Sequence, residues 1–342
     1  MRRLPVYLLV DCSESMAGDP FNSVCSGIDD LIRFMRNDPQ CLETVFISVI
    51  TFSNTAKKLL PLTEVAQIRL PQMALGSGTA LGEALEIFEK SISEDVVKSS
   101  PERKGDYKPL CFILSDGEPT GKWEEAAERV KNRINGKKAF IMAIACGPDV
   151  SVSKFKRITD DVIHAKELSS SSFKEIFKWV STSVSTASQA VTSSETSKIN
   201  LEKLPKGFME KVDWSEVLSE PLPDRQLFLH ARCMKSGKLY IMKFLKDENR
   251  IYNIVSANKV DLFDLSSVGD SENSKIDINS VRGNLPCPYC ENEVWAFCGC
   301  GKIHCCPNVS QGGSITLTCP WCENTGTYSF SSQSFEIGKG LG

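Results

Sequence analysis

The sequence predicts a doubly wound α/β domain with a mostly parallel sheet (Rossmann-like), followed by a smaller β-rich domain. Three observations carry this. Residues 1 to about 190 alternate apolar, strand-like runs with stretches of helical period. The periodicity lapses near 188–200. Beyond it come short β-patterned runs that lead into a dense cysteine cluster between Cys287 and Cys322.

The elements follow in order. Val6–Val10 reads as a first buried strand. Phe21–Met35 places Val24, Ile28, Leu31, Ile32 and Met35 at helical spacing. Val45–Phe52 is rich in β-branched residues and reads as a second buried strand, whereas Lys57–Leu62 is more polar and suits an edge. Thr79 opens a helix through Leu81, Ala84, Leu85 and Phe88. Pro109–Leu114, Ala139–Cys146 and Val162–Leu168 are further strands, with an amphipathic helix over Trp123–Ile134 stopped by Asn135-Gly136. Ser172 and Glu175 match a capping box, opening a helix with Phe173, Ile176, Phe177, Val180, Val184 and Ala187 on one face. Strands apolar on both faces and alternating with helices imply a parallel sheet covered on both sides.

The predicted domains are residues 1–190, a linker over 191–204, and a β-rich domain over 205–337. In the last, Gln226–Cys233 and Leu239–Phe244 form a hairpin around a Gly237 turn, and Ile251–Ala257 adds a strand. His164 and His230 fall on strands and read as surface or satisfied core histidines.

A net charge of −3 gives no global attraction to nucleic acid or an anionic membrane. No apolar run is long enough to span a bilayer. The basic Met1-Arg2-Arg3 start precedes too short an apolar stretch, and no small-residue cleavage site follows, so a cytoplasmic protein is expected. Six cysteines are scattered singly and eight crowd together, which points to a reducing compartment and a metal site.

Two constellations carry chemistry. Asp11, Ser13 and Ser15 follow the first strand, Thr79 sits in a glycine-flanked loop, and Asp116 ends the Pro109–Leu114 strand. Loops at the C-terminal ends of parallel strands share one edge, where ligands bind. Two carboxylates with hydroxyls suit a hard cation, Mg²⁺ or Mn²⁺, with Ca²⁺ as an alternative. Such an ion keeps open positions that a carboxylate of a partner protein could fill. Taken singly, the serines read as helix caps and Asp116-Gly117 as a turn. A competing chemical reading makes Asp11 the nucleophile of a Mg²⁺-dependent phosphotransfer or hydrolytic enzyme. No acid stands two residues on, where Ser13 is, and no phosphate-binding Lys is evident.

With Asp11-x-Ser13-x-Ser15, Thr79 and Asp116 all in place, residues 6 to about 187 resemble a von Willebrand factor A domain with a complete metal-ion-dependent adhesion site. The resemblance implies that the serines and threonine contact the metal directly or through water. It implies that Asp116 acts through water, and that the domain recognises a partner's Asp or Glu without catalysis.

The second constellation is soft. Cys287, Cys290, Cys298, Cys300, His304, Cys305, Cys306, Cys319 and Cys322 offer nine ligands, and two tetrahedral Zn²⁺ sites need eight, so one of the central His304, Cys305 and Cys306 is spare. Two pairings are open. Nesting joins Cys287/Cys290 with Cys319/Cys322 and leaves Cys298, Cys300 and two of the central three, whereas cross-bracing interleaves them. The matching Cys-Pro-aromatic-Cys knuckles favour nesting. Lys302 is the one Lys or Arg between Cys287 and Cys322, which argues against nucleic-acid binding through this module.

An adhesion-site domain joined to such a module, here about 200 to 335, resembles TerY-type proteins of bacterial tellurium-resistance and stress-response systems. That resemblance implies a cytoplasmic adaptor working beside a Ser/Thr protein kinase and a metal-dependent protein phosphatase. The Ser/Thr-rich 181–197 stretch could offer hydroxyls to such a kinase, or be a solvated helix end and linker.

Overall fold

The computed structural model describes residues 2–148, 150–193, 204, 209–214, 226–264, 275–277, 280–307, 314–329 and 336–338. The chain forms two compact units. One comprises Met1–Cys12, Asp19–Met73 and Thr79–Pro221, the other Ser13–Gly18, Ala74–Gly78 and Leu222–Gly342.

In the first unit, β1 (Leu4–Asp11) is buried along its whole length, as expected of a central strand apolar on both faces. Then come α1 (Asp19–Asn37), α2 (Pro39–Thr44), β2 (Val45–Phe52), β3 (Ala56–Glu64), α3 (Leu81–Glu94), β4 (Leu110–Ser115), α4 (Glu124–Arg133), β5 (Phe140–Cys146), α5 (Val152–Phe155), β6 (Val162–Ala165), α6 (Ser170–Ser193) and β7 (Met209–Lys211). The sheet order is β3-β2-β1-β4-β5-β6-β7. The β2-β1-β4-β5-β6 core is parallel, and β3 and β7 close it as antiparallel edges. The polar pattern of Lys57–Leu62 marked the first edge correctly.

One sheet face packs Tyr7, Leu9, Cys111 and Ile113 against Leu85 and Phe88 of α3 and Ala127 and Val130 of α4. On the other, Phe112 meets Trp179 of α6 edge-on at 6.1 Å. There α1 and α6 approach so closely that a Cβ on Gly27 would lie 2.1 Å from the Phe177 ring.

Two boundaries differ from expectation. The α6 helix starts before Ser172: the Ser172 N–H donates to Ser169 Oγ at 3.2 Å, so Ser169 is the cap. A run of serines offers several equivalent caps, and burial of Ser172 decides between them. After residue 204, β7 pairs with β6, so this part of the expected 205–337 domain belongs to the first sheet. The expected linker at 191–204, apart from 191–193 and 204, lies outside the described residues.

The second unit holds β8 (Gln226–Arg232), β9 (Leu239–Lys246), β10 (Tyr252–Lys259), β11 (Lys275–Asp277), β12 (Val281–Arg282), β13 (Val294–Phe297), β14 (Ile303–Cys306), β15 (Ser314–Thr318), β16 (Thr325–Ser329) and β17 (Glu336–Gly338). Its main sheet runs β12-β10-β9-β8-β14-β13, and β11–β17 and β15–β16 are separate pairs. Its core gathers Leu227, Leu229, Tyr240, Met242 and Phe244 around Cys233, Cys287 and Cys305. Within this unit, the wholly buried Glu14 accepts a hydrogen bond from Ser77 Oγ at 2.9 Å and lies 2.5 Å from His230 Nε2. Among the described residues no helix is long and apolar enough to cross a membrane.

Candidate metal centres

The first centre is built from strand ends. β1 and β4 pair in parallel with Val10 beside Leu114, so Asp11 ends its strand next to Ser115. The Ser115 hydroxyl donates to Asp11 Oδ2, and Asp116 is the next residue. The Thr79 loop is tied to the chain that follows Asp116. Thr79 N–H donates to Thr120 Oγ1 at 3.0 Å, and Thr120 N–H donates to Thr79 O at 2.9 Å. Gly78 takes φ +75°, a left-handed conformation that favours glycine at the entry to this loop. Asp11, Thr79 and Asp116 are thus assembled within the first unit.

Ser13 and Ser15 flank Glu14 at the start of a short 3-10 turn, with their Oγ atoms 2.7 Å apart. All five expected residues are buried. Thr79 Oγ1 is buried and has no hydrogen-bond partner among the described residues. A hydroxyl left so costs about 1–3 kcal/mol, and a cation would remove that cost. The donor set is all oxygen, which fits a hard ion. Cys12 is buried, and desolvation followed by the nearby Asp11 charge pushes its thiol well above the usual range. It is an inert packing residue.

The second region contains two four-cysteine sets, Cys233/Cys287/Cys290/Cys305 and Cys298/Cys300/Cys319/Cys322. In each set all sulfurs lie within 4.8 Å of one another. Observed Sγ separations are 3.5 Å for Cys290–Cys305, 3.6 Å for Cys298–Cys322 and 3.9 Å for Cys300–Cys319. Four thiolates around a tetrahedral zinc stand about 3.8 Å apart, so both sets fit the ion. These separations are far too long for disulfides.

The grouping corrects the expected pairing. Cys287/Cys290 do not join Cys319/Cys322, and His304 and Cys306 both fall outside the two sets, while Cys233 enters. The β13–β14 hairpin explains the division. Its tip carries Cys298 and Cys300, whereas Cys305 lies back along β14 opposite Trp295. Three residues of strand separate the two positions by roughly 10 Å, too far for one ion. Side chains alternate along β14, so Cys305 faces the core with Cys233 and Cys287 while His304 and Cys306 face the other way. His304 is buried edge-on to Tyr328, and burial lowers its pKa.

A backbone signature marks the ligand turns. The N–H of Cys287 donates to Asn292 O, and the N–H of Glu291 to Cys287 O. Cys319 repeats this with Asn324 and Glu323, and Cys233 repeats it with Lys238 and Gly237. The fifth residue of each turn, Glu291, Glu323 or Gly237, has positive φ. Thus Cys233–Lys238 is a third knuckle in which Ser236 stands where Cys290 and Cys322 stand in the others. Cys305 supplies the missing sulfur. The available signal was a cysteine followed four residues later by glycine in a hairpin turn.

Ionisation is unevenly favoured among these thiols. Burial opposes ionisation of Cys233 and Cys298, yet hydrogen bonds, chiefly from Ser236 and from the Cys300 backbone respectively, bring them down to about 7 and about 6. Burial pushes Cys287 up to about 11 and Cys300 up to about 12, and it raises Cys305 and Cys319 as well. Crowded thiolates cannot all ionise beside one another unless a cation balances them.

Comparison with known proteins agrees with this description. The von Willebrand factor type A domain model matches residues 6–179, and the TerY-C metal binding domain model matches 224–342. The comparison with curated proteins gives no match. Among solved structures, proximal thread matrix protein 1 from the mussel byssus has 17% identity and a TM-score of 0.40, covering 53% of this chain and 48% of its own. Another structure of that protein, with a zinc-occupied MIDAS motif, has 17% identity and a TM-score of 0.39, with the same coverage, 53% and 48%. This chain therefore spans about half the length of those proteins. The ArnB paralog VWA2 from Sulfolobus acidocaldarius has 13% identity and a TM-score of 0.38, covering 99% of this chain and 66% of its own. The chain belongs to the von Willebrand factor type A domain family and carries, after that domain, a TerY-C metal binding domain.

Proposed function

We propose that this chain is a non-enzymatic, metal-dependent protein-interaction adaptor. Asp11, Ser13, Ser15, Thr79 and Asp116 would hold a Mg²⁺ or Mn²⁺ ion. The observation that carries the reading is the buried Thr79 Oγ1, without a hydrogen-bond partner among the described residues, on a residue whose backbone is tied through Thr120 to the loop that follows Asp116. When bound, the ion supplies an electrophilic centre for an Asp or Glu of a partner protein. The chain's own part is to pre-form the donors: Ser115 fixes the Asp11 carboxylate, and the Thr120 pair holds the Thr79 loop. Pre-positioned donors lower the ordering cost of binding.

Two zinc ions in the cysteine sets would shape the second unit. Family membership supports placing the adaptor in the cytoplasm, in a tellurium-resistance or stress-signalling system beside a Ser/Thr kinase and a metal-dependent phosphatase. Affinity purification of wild type and Asp11→Ala from the source cell, each with and without EDTA, tests the reading. Partners should be lost with EDTA and with Asp11→Ala while the circular dichroism of the variant stays native. Equal recovery of partners by both proteins would sink the metal-bridge reading.

A further inference from the structure

The two cysteine sets are built into the second unit in different ways. Three of the four cysteines of the first set, Cys233, Cys287 and Cys305, are buried within its apolar core, packed with Leu227, Tyr240 and Phe244, and Cys290 is half-buried. Their set ties together elements that the six-stranded sheet already joins: the β8–β9 turn, β14, and the knuckle preceding β13. In the second set only Cys319 is buried, Cys298 and Cys322 are half-buried, and Cys300 is exposed. Their set joins the tips of two hairpins, β13–β14 and β15–β16. The β15–β16 pair hydrogen-bonds to no other described strand.

Besides the sulfurs, a few side-chain contacts bring the β15–β16 hairpin to the main sheet. Trp321 Nε1 donates to Ile303 O at 2.6 Å, and Arg232 Nη1 donates to Pro320 O at 3.0 Å. The Arg232 guanidinium stacks over the Trp321 ring at 4.2 Å, and His304 meets Tyr328 edge-on. The exposed Cys300 sulfur gives a competing chelator a point of entry, whereas the other set has no exposed sulfur and holds three of its four in the core, which must open first.

We propose that the Cys298/Cys300/Cys319/Cys322 site is an exchangeable zinc clasp whose opening frees the β15–β16 hairpin, while the Cys233/Cys287/Cys290/Cys305 zinc is a permanent part of the core. This rests on the zinc reading above. The clasp makes the position of one hairpin conditional on zinc supply, and the six-stranded sheet keeps its form whether the clasp is open or closed.

The test is zinc release from the full-length, zinc-loaded protein into a chromogenic chelator, followed by hydrogen exchange on the same sample. Release should come in two phases of one zinc each, at rates at least about tenfold apart. After the fast phase, amides of Ser314–Thr318 and Thr325–Ser329 should lose protection while those of β8 and β9 keep it. Cys300→Ser should bind one zinc and lack the fast phase. The hydrogen-exchange arm uses wild type alone, so it decides the matter even where that variant folds poorly. Two zinc ions leaving at one rate, or protection lost first in β8 and β9, would overturn the clasp alone. Freshly purified protein without zinc would overturn the zinc reading and the clasp with it.

Discussion

Cys298 and Cys322 place their sulfurs 3.6 Å apart, although they stand on the tips of different hairpins and 24 positions apart in sequence. Neither hairpin alone could assemble four thiols, so the ion and the fold of this region depend on each other. The same logic holds at the other set, where Cys233 arrives from a turn far upstream.

Cys233→Ser is therefore expected to lower bound zinc from about two ions per chain to about one. Elemental analysis of protein purified without chelator checks this. Two zinc ions retained in the variant would make Cys233 an ordinary buried thiol.

Thr79→Val separates metal binding from packing. The side chains are nearly isosteric, and the Thr79 hydroxyl has no hydrogen-bond partner to lose among the described residues. In EDTA the variant should be as stable as wild type, or more stable by about 1 kcal/mol. Its Mn²⁺ affinity, read by electron paramagnetic resonance, should fall by about tenfold or more. Unchanged affinity would remove Thr79 from the site.

Asp38 caps α2 by accepting hydrogen bonds from the N–H groups of Gln40 at 2.9 Å and Cys41 at 3.2 Å, and it accepts another from Ser185 Oγ at 2.6 Å. Burial raises its pKa, but these bonds outweigh burial and hold it below the ordinary value. A lowered folded pKa contributes stability that is present above the ordinary carboxylate range and lost as pH falls through the folded value. Asp38→Ala should cost about 1 kcal/mol near neutral pH. That difference should shrink on acidification below the ordinary Asp range, as urea melts at several pH values would show.

Gly27 is needed for close approach. A side chain there meets the Phe177 ring, so Gly27→Val should destabilise by about 3 kcal/mol or more. Ser26→Val, at the neighbouring exposed position, should change stability by less than about 0.5 kcal/mol. Equal effects in thermal melts would show that the α1–α6 contact is not tight.

Much of the first unit was legible because its signals are local. Runs such as Val45–Phe52, apolar apart from the buried Ser48 and Thr51, suit a strand covered on both faces. The polar texture of Lys57–Leu62 announced an edge. The adhesion-site residues were legible for a related reason. Asp11, Ser13, Ser15 and Asp116 end or follow the parallel strands β1 and β4, whose ends the topology rule carries to one side, whereas Thr79 stands just before α3 and was marked by its glycine-flanked loop. The zinc grouping was not legible, because the Cys287 and Cys319 knuckles are so alike that similarity was mistaken for partnership. Each instead heads its own site. Cys233 was missed because its knuckle lacks a second cysteine.

What the sequence by itself determined is the kind of chemistry: hard oxygen donors in three loops, soft sulfur donors in a cluster, and the α/β and β-rich patterns that carry them. Those follow from residue type and local period, which act over a few positions. Tertiary structure alone decided which sulfurs meet. That choice depends on the length of the β13–β14 hairpin, on the alternation that puts Cys305 on one face of the sheet and the equally buried His304 and Cys306 on the other, and on a turn that brings Cys233 from far upstream. Strand geometry sets distances between residues remote in sequence, and no spacing along the chain records them.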